Sequence, residues 1–104
     1  MEIRKNETEI IGRLINEEGD IIFDNAAKRV NFLVSNSLKK IKSDEETGWD
    51  ILYYDIRSDN FWELIYNQSH LHSGGAPSLY IIKNKEDIYI KYDLTKDDLD
   101  KIKD

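Results

Sequence analysis

The chain has 104 residues, with 15 Lys and Arg against 21 Asp and Glu, a net charge of −6 and no cysteine. This length suits one domain with one core, and 11% aromatic residues argue against a disordered chain. The acidic balance disfavours nucleic acid or an anionic membrane as the main partner. The lack of cysteine excludes disulfides, thiolate catalysis and cysteine-based zinc sites. Because the chain has no apolar signal segment and no apolar run long enough to span a bilayer, we expect a soluble, cytoplasmic protein.

The first predicted element is a β-hairpin. Apolar residues at 10–15 and at 20–23 flank a polar stretch in which Gly19 is free to adopt a positive φ.

A helix follows, for which Asp24 or Asn25 is the expected N-cap. Apolar side chains then recur every three or four residues, which predicts a helix of about four turns with one apolar face. Three lysines at its C-terminal end complement the helix dipole. The apolar stripe consists of Ala26, Ala27, Val30, Leu33, Val34, Leu38 and Ile41, and the lysines are Lys39, Lys40 and Lys42.

Two strands are predicted next, at residues 49–56 and 61–67, because both stretches are rich in aromatic and β-branched residues. Residues 57–60 carry turn chemistry. If the turn joins Ile56 to Phe61, both faces of the hairpin are partly apolar. The helix covers only one of these faces, so the other must be covered by more of this chain or by a partner.

The C-terminal third contains a strand at 78–83 and a segment at 84–92 with two interpretations. Asn84 is a potential cap for a short helix, but the alternating apolar residues of the same segment fit a strand equally well. The pattern as a whole predicts an α+β fold: a mainly antiparallel sheet of about five strands, one long helix packed on one face and a short C-terminal element. We expect one domain over residues 1–94 and a charged tail over 95–104 with the spacing of a marginal helix.

Charge alternates along the sequence. Residues 1–24 carry three bases and seven acids, residues 25–42 carry five bases and no acid, and residues 43–60 carry one base and six acids. Neutralisation within the molecule explains this pattern, and so does an acidic surface for a basic partner.

Candidate catalytic chemistry is sparse. His70 and His72 lie two residues apart, so both could bind one metal ion, with Glu63 or Asp55 as a third ligand. The spacing matches no recognisable metal site, and the loop 73–75 lacks the helix and lysine of a phosphate-binding loop. We therefore expect no catalytic residue, no metal and no cofactor, and keep a small metal-assisted hydrolase using His70, His72 and Glu63 as the alternative.

The hairpin at 49–67 has the composition of a protein-binding surface, in which aromatic anchors lie inside a charged rim. Core packing is the competing explanation for the same aromatic residues. The predicted rim consists of Asp44, Glu45, Glu46, Asp55 and Asp59, and the predicted anchors are Tyr54, Trp62, Glu63, His70 and His72.

Residues 47–79 resemble the immunity protein 27 family, small antitoxins of bacterial polymorphic toxin systems. The matching motifs are Gly48-Trp49, Trp62-Glu63-Leu64, and Gly74-Gly75 followed by Pro77 and Leu79. The resemblance extends over about residues 7–92. The chain departs from the family pattern at Ile56, His70, Ser73 and Ala76.

The resemblance implies a non-enzymatic inhibitor that binds a cognate toxin in the cytoplasm, without a cofactor. An acidic inhibitor suits a basic toxin such as a nuclease. We expect the free chain to be a monomer that contacts neither nucleic acid nor membrane directly. A self-associating regulatory module, whose uncovered sheet face pairs with a second copy, is a further alternative.

Overall fold

The computed structural model describes residues 2–44, 46, 49–67 and 75–103. It confirms the α+β fold. Within the described residues, a five-stranded antiparallel sheet and a separate two-stranded hairpin are combined with three helices. In chain order the elements are β1 Glu9–Ile10, β2 Leu14–Glu17, β3 Asp20–Phe23, α1 Asn25–Asn36, β4 Lys39–Ser43, β5 Ile51–Asp55, β6 Asn60–Asn67, β7 Ala76–Ile82, α2 Lys85–Tyr92 and α3 Lys96–Lys103. The order in the large sheet is β1-β7-β6-β5-β4, and β2 pairs with β3.

The predicted strand at 10–15 is divided at Gly12. β1 pairs with β7, whereas β2 and β3 form a hairpin with a two-residue turn. A Cβ atom on Gly12 would lie 2.0 Å from the Pro77 carbonyl oxygen and 2.9 Å from the Ala27 Cα atom. The backbone N–H of Gly12 donates a hydrogen bond to Ser78 Oγ at 2.9 Å. The chain therefore leaves the large sheet at a point where its backbone is pressed against β7 and α1.

The helix α1 is capped by Asp24, whose side chain accepts a hydrogen bond from the Ala27 N–H at 2.8 Å. It is shorter than predicted. The helix ends at Asn36, and the expected continuation to Ile41 is wrong because the chain forms the edge strand β4 there. Leu38 and Ile41 are buried in different core clusters. Two apolar residues three positions apart fit one face of a helix. In an extended chain the same two side chains point to opposite faces of the sheet, and here both faces are apolar.

The β5–β6 hairpin forms with a register two residues away from the predicted one. Tyr54 pairs with Phe61 and Tyr53 with Trp62. The turn therefore starts one residue earlier than predicted, and it is closed by a backbone hydrogen bond from Asp59 to Asp55 at 2.9 Å. Because side chains alternate with a period of two, this shift leaves every side chain on its predicted face.

Helices cover both faces of the large sheet. α1 packs on one face, and α2 and α3 on the other, so the second apolar face is covered by this chain. The cluster beneath α1 contains Ile10, Val30, Leu33, Leu38, Tyr53, Trp62, Leu64 and Leu79. The cluster on the opposite face contains Ile41, Leu52, Tyr54, Phe61, Ile88 and Tyr92, with Leu94 and Ile102 packed against it.

The segment with two interpretations is a helix, because the Asn84 side chain accepts a hydrogen bond from the Glu86 N–H at 3.0 Å and caps α2. The tail forms α3, where Lys101 Nζ donates to the Ile41 carbonyl oxygen at 3.2 Å. The proposed division between 1–94 and 95–104 stays a prediction. Within the described residues no helix is both long and apolar enough to cross a membrane.

Candidate functional site

The two ends of the large sheet differ in charge. We call the end where β5 begins and β6 finishes the acidic end, and the end where β5 finishes the basic end. The β2–β3 hairpin lies at the acidic end, since Gly12 contacts the start of β7. Among the described charged groups that are not buried, the acidic end carries six acids, Glu17, Glu18, Asp20, Asp24, Glu46 and Asp50, against four bases, Arg13, Lys28, Lys42 and Lys91, the last of which binds Asp50. Those at the basic end are Arg4, Lys5, Lys39, Lys40, Arg57, Lys83 and Lys85 against Glu2, Asp59, Glu86 and Asp87.

The predicted acidic rim is split between these two ends. Asp44 and Glu46 lie at the acidic end, whereas Asp55 and Asp59 lie at the basic end. The five residues of β5 separate the two pairs by about 14 Å. Asp44 is itself buried, and its Oδ1 accepts a hydrogen bond from the Glu46 N–H at 3.0 Å. The structure therefore does not bring these acids into one surface.

Asp55 and Tyr54 hold the β5–β6 turn together. Asp55 is buried, and its carboxylate accepts hydrogen bonds from the Arg57 N–H at 3.1 Å and from Ser58 Oγ at 2.7 Å. The Tyr54 hydroxyl donates to Asp59 Oδ1 at 2.5 Å. This hydrogen bond, together with burial, raises the pKa of Tyr54. Of the predicted residues in this group, Asp59 alone is exposed.

Trp62, a predicted anchor, is 1% exposed and belongs to the core cluster beneath α1. Its indole Nε1 has no hydrogen-bond partner among the described residues. Core packing, the competing explanation for the aromatic residues, therefore accounts for Trp62. The remaining predicted residues Glu45, His70 and His72 lie outside the described residues.

Glu63 lies in a hydrogen-bonded network that joins β6 to α2. Lys91 Nζ lies 2.7 Å from Glu63 Oε2 and 2.7 Å from Asp50 Oδ2. The Tyr92 hydroxyl donates to Glu63 Oε2 at 2.7 Å. Burial and the hydrogen bond to Glu63 raise the pKa of Tyr92. Burial opposes the charge of Lys91, but its hydrogen bonds to Asp50 and Glu63 outweigh that effect and raise its pKa.

This network lies beside a groove of about 560 Å³ between α2 and the strands β6 and β7. Glu63, Lys91 and Tyr92 line it together with Ile82, Asp87 and Ile90. Since the carboxylate of Glu63 already binds Lys91 and Tyr92, it acts here as a structural link between strand and helix. No group of three or more His, Asp or Glu side chains within the described parts of the chain is placed to hold a metal ion.

Several exposed apolar side chains were not among the predicted site residues. Ile90 on α2 is 81% exposed and Ile21 on β3 is 65% exposed. Trp49 at the acidic end is 54% exposed and contacts the Tyr66 ring edge-on, with 6.1 Å between ring centroids. The exposure of Ile21 could be expected from the sequence, because a hairpin this short has too few residues to cover both faces of its own strands. The exposure of Ile90 depends on the position of α2, which no local pattern gives.

Comparison with known proteins supports the resemblance found in the sequence. The sequence model of one family, described as Immunity protein 27, matches residues 16–83, which run from β2 to the end of β7. Searches of curated proteins and of solved structures found no match. The matched region is about two thirds of the chain and includes the β5–β6 hairpin with its Trp62-Glu63-Leu64 motif. The chain therefore belongs to the immunity protein 27 family, whose members are immunity proteins of toxin systems.

Proposed function

We propose that this immunity protein neutralises its cognate toxin by direct binding, with the acidic end of the sheet against a basic surface of the toxin. The observation that carries the proposal is the charge difference between the two ends of the sheet, combined with family membership. Complementary charge steers a partner to one side of a protein and accelerates association. An inhibitor that acts by binding needs no catalytic residue and no cofactor.

A nuclease is the kind of toxin that this surface suits best. An enzyme that cleaves nucleic acid binds phosphates through Lys and Arg, so its active-site surface is basic. An acidic protein bound to this surface pairs with the same Lys and Arg side chains and thereby excludes the nucleic acid substrate. The toxin acts on nucleic acid in the cytoplasm, and we therefore place the immunity protein there.

The structure refines the set of proposed contacts. Glu46 is accessible at the acidic end, so it is kept as a contact, whereas Asp59 lies with the bases of the opposite end. Tyr54, Asp55 and Trp62 are buried and act through the stability of the fold. Asp44 and Glu63 hold a loop and a helix in place. We retain Glu45, His70 and His72 as proposed contacts on their sequence positions alone.

The experiment is a rescue assay with a matched binding measurement. A candidate toxin domain, taken from the C-terminal end of the protein that the neighbouring reading frame encodes, is expressed from an inducible promoter in a host that lacks the immunity gene. We expect growth to be restored by co-expression of this chain, and a 1:1 complex to form in calorimetry. A toxin domain from an unrelated system is the control and should not be neutralised. Growth arrest that persists despite abundant folded immunity protein would overturn the proposal.

The hydrolase alternative gives a different outcome in the same assay. An enzyme that destroys a toxic product rescues growth without forming a complex, and it acts at substoichiometric amounts. Titrating the immunity protein against the purified toxin separates the two, because an inhibitor that binds reaches full inhibition near one equivalent. A metal-dependent hydrolase would also lose its effect when a chelator is added.

A further inference from the structure

We propose that the β2–β3 hairpin, here called the arm and defined as residues 14–23, is the element that inserts into a basic cleft of the toxin. This inference rests on the proposed function and specifies which part of the acidic end makes the contact. In the described part of the chain, the arm pairs with no strand of the large sheet. Two-stranded hairpins on their own are marginally stable in water, so an ordered arm of this kind gains stability when a partner covers it.

The outer half of the arm is exposed on both of its faces. The cross-strand pair of Asn16 and Ile21 points to one face, and the pair of Glu17 and Asp20 to the other. All four side chains are exposed, and so is Ile15 at 42%. Ile21, at 65%, is the most exposed large apolar side chain at the acidic end. A protruding hairpin buries both faces at once when it enters a cleft, so a short element supplies a large contact area.

The charge of the arm specifies its partner. Residues 14–23 contain Glu17, Glu18 and Asp20 and no Lys, Arg or His. Glu17 lies directly opposite Asp20 in the hairpin, and like charges in this position destabilise the pairing. No Lys or Arg in the described residues forms an ion pair with any of these three acids. Cations supplied by a partner would relieve this repulsion.

One of these three acids, Glu18, lies at the tip of the arm in an unusual backbone conformation. Glu18 and Gly19 both have positive φ angles, 53° and 91°, as in a type I′ turn. The Asn16 side chain accepts a hydrogen bond from the Gly19 N–H at 3.1 Å and supports the turn. Asn, Asp or Gly is the usual residue at the place of Glu18. The hairpin thus carries an acid at its most protruding point, where turn geometry favours another residue.

These features favour the toxin over other occupants. A second copy in a symmetric, arm-to-arm dimer would place the acids of one arm against those of the other, which like-charge repulsion opposes. Nucleic acid and anionic membrane are repelled for the same reason. A cleft that accepts the arm needs Lys or Arg for the acids and an apolar floor for Ile21. The phosphate-binding cleft of a nuclease has the required basic groups.

The test measures binding of arm variants to the toxin domain that the wild-type chain neutralises in the rescue assay. Ile21→Ser removes the apolar anchor, and we expect about tenfold to hundredfold weaker binding. The double variant Glu17→Gln/Asp20→Asn removes the cross-strand repulsion, and we expect slower association together with an unchanged or raised melting temperature. Slower association without any loss of stability is a combination that a merely structural role of the arm does not produce.

Matched controls are available on α2 and α3, which pack on the face of the sheet opposite α1. Ile90→Ser removes a side chain that is even more exposed than Ile21. Asp97→Asn/Asp100→Asn changes the net charge by the same amount in exposed positions of α3. Both controls should bind within twofold of the wild type. Arm variants that bind as tightly as the wild type would overturn the arm's role and leave the proposed function intact.

Two further outcomes are decisive. A wild-type chain that neither binds nor rescues removes the proposed function, and the role of the arm with it. A wild-type dimer in light scattering that Ile21→Ser converts to a monomer would assign the arm to self-association, which contradicts the proposal.

Discussion

The hydroxyl of Tyr92 donates a hydrogen bond to Glu63 Oε2 at 2.7 Å, and Lys91 Nζ lies 2.7 Å from the same oxygen. Two consecutive residues of α2 are thereby fixed to one carboxylate on β6. We expect Tyr92→Phe to lower the free energy of unfolding by about 1–2 kcal/mol, because it leaves the Glu63 carboxylate with one partner fewer. Urea unfolding at pH 7 measures this effect. The same change at the exposed Tyr89 is the control, and it should be neutral.

Stability should decrease at alkaline pH. The pKa values of Tyr53, Tyr54 and Tyr92 are raised, by burial for Tyr53 and Tyr92 and mainly by the hydrogen bond to Asp59 for Tyr54. An unfolded tyrosine loses its proton near pH 10, whereas the folded protein keeps it to higher pH. The stabilisation is thus complete below about pH 10 and is lost above it. The unfolding free energy of the wild type should fall between pH 9 and 11, and less steeply for Tyr92→Phe; equal slopes would contradict the prediction.

Acid should weaken the attachment of the N-terminal segment to α1. Glu7 receives two hydrogen bonds from the Arg29 guanidinium, both at 2.6 Å, and this interaction lowers the pKa of Glu7. Because folding lowers the pKa of Glu7, its ionised carboxylate stabilises the fold above the unfolded pKa, near 4.3. This stabilisation is lost as the pH falls below that value. We expect Glu7→Gln to cost about 1 kcal/mol at pH 7. The cost should diminish towards pH 2, and a cost that is the same at both pH values would argue against the assignment.

Gly12 and Gly19 should respond differently to alanine. A Cβ atom at Gly12 meets the Pro77 carbonyl oxygen and the Ala27 backbone, so Gly12→Ala should destabilise the protein by about 3 kcal/mol. Gly19 has open space around it, but its φ of +91° strains any other residue, so Gly19→Ala should cost about 1 kcal/mol. Thermal unfolding gives both values. Equal effects would show that contact with β7 is not the reason for glycine at position 12.

The rate of toxin association should depend on salt. If the acidic end steers the toxin, raising the ionic strength from low to physiological values should slow association several-fold and leave dissociation nearly unchanged. Stopped-flow mixing of this chain with the toxin domain measures both rates. An association rate that does not change with salt would remove the charge argument while leaving binding itself in place.

The sequence predicted best where a single local rule decides the outcome. The start of α1 at Asp24 or Asn25 and the faces of the β5–β6 hairpin follow from neighbouring residues, and the structure confirms them with Asp24 as the cap. The cap pattern at Asn84 left helix and strand open, and the structure shows the helix. The helix stripe failed beyond Asn36 because the same spacing suits a strand when both sheet faces are apolar. The elements that cover this second apolar face, α2 and α3, are distant in sequence from the strands beneath them.

The candidate site shows the same contrast. Sequence identified an acidic segment at 43–60, but an antiparallel hairpin sends the two halves of such a segment to opposite ends of the sheet. It also could not distinguish an aromatic anchor from a core residue, since Trp62 and Trp49 have the same chemistry and differ only in burial. Glu63 and Lys91, which form an ion pair, are 28 positions apart in sequence, so no local spacing predicts their contact.

The helices on both faces of the sheet have a consequence for how such proteins diversify. The core is enclosed between α1 on one face of the large sheet and α2 and α3 on the other. The tip residues of the arm belong to neither core cluster. If the arm makes the proposed toxin contact, exchanging a few exposed residues near its tip changes the toxin specificity while both core clusters stay intact.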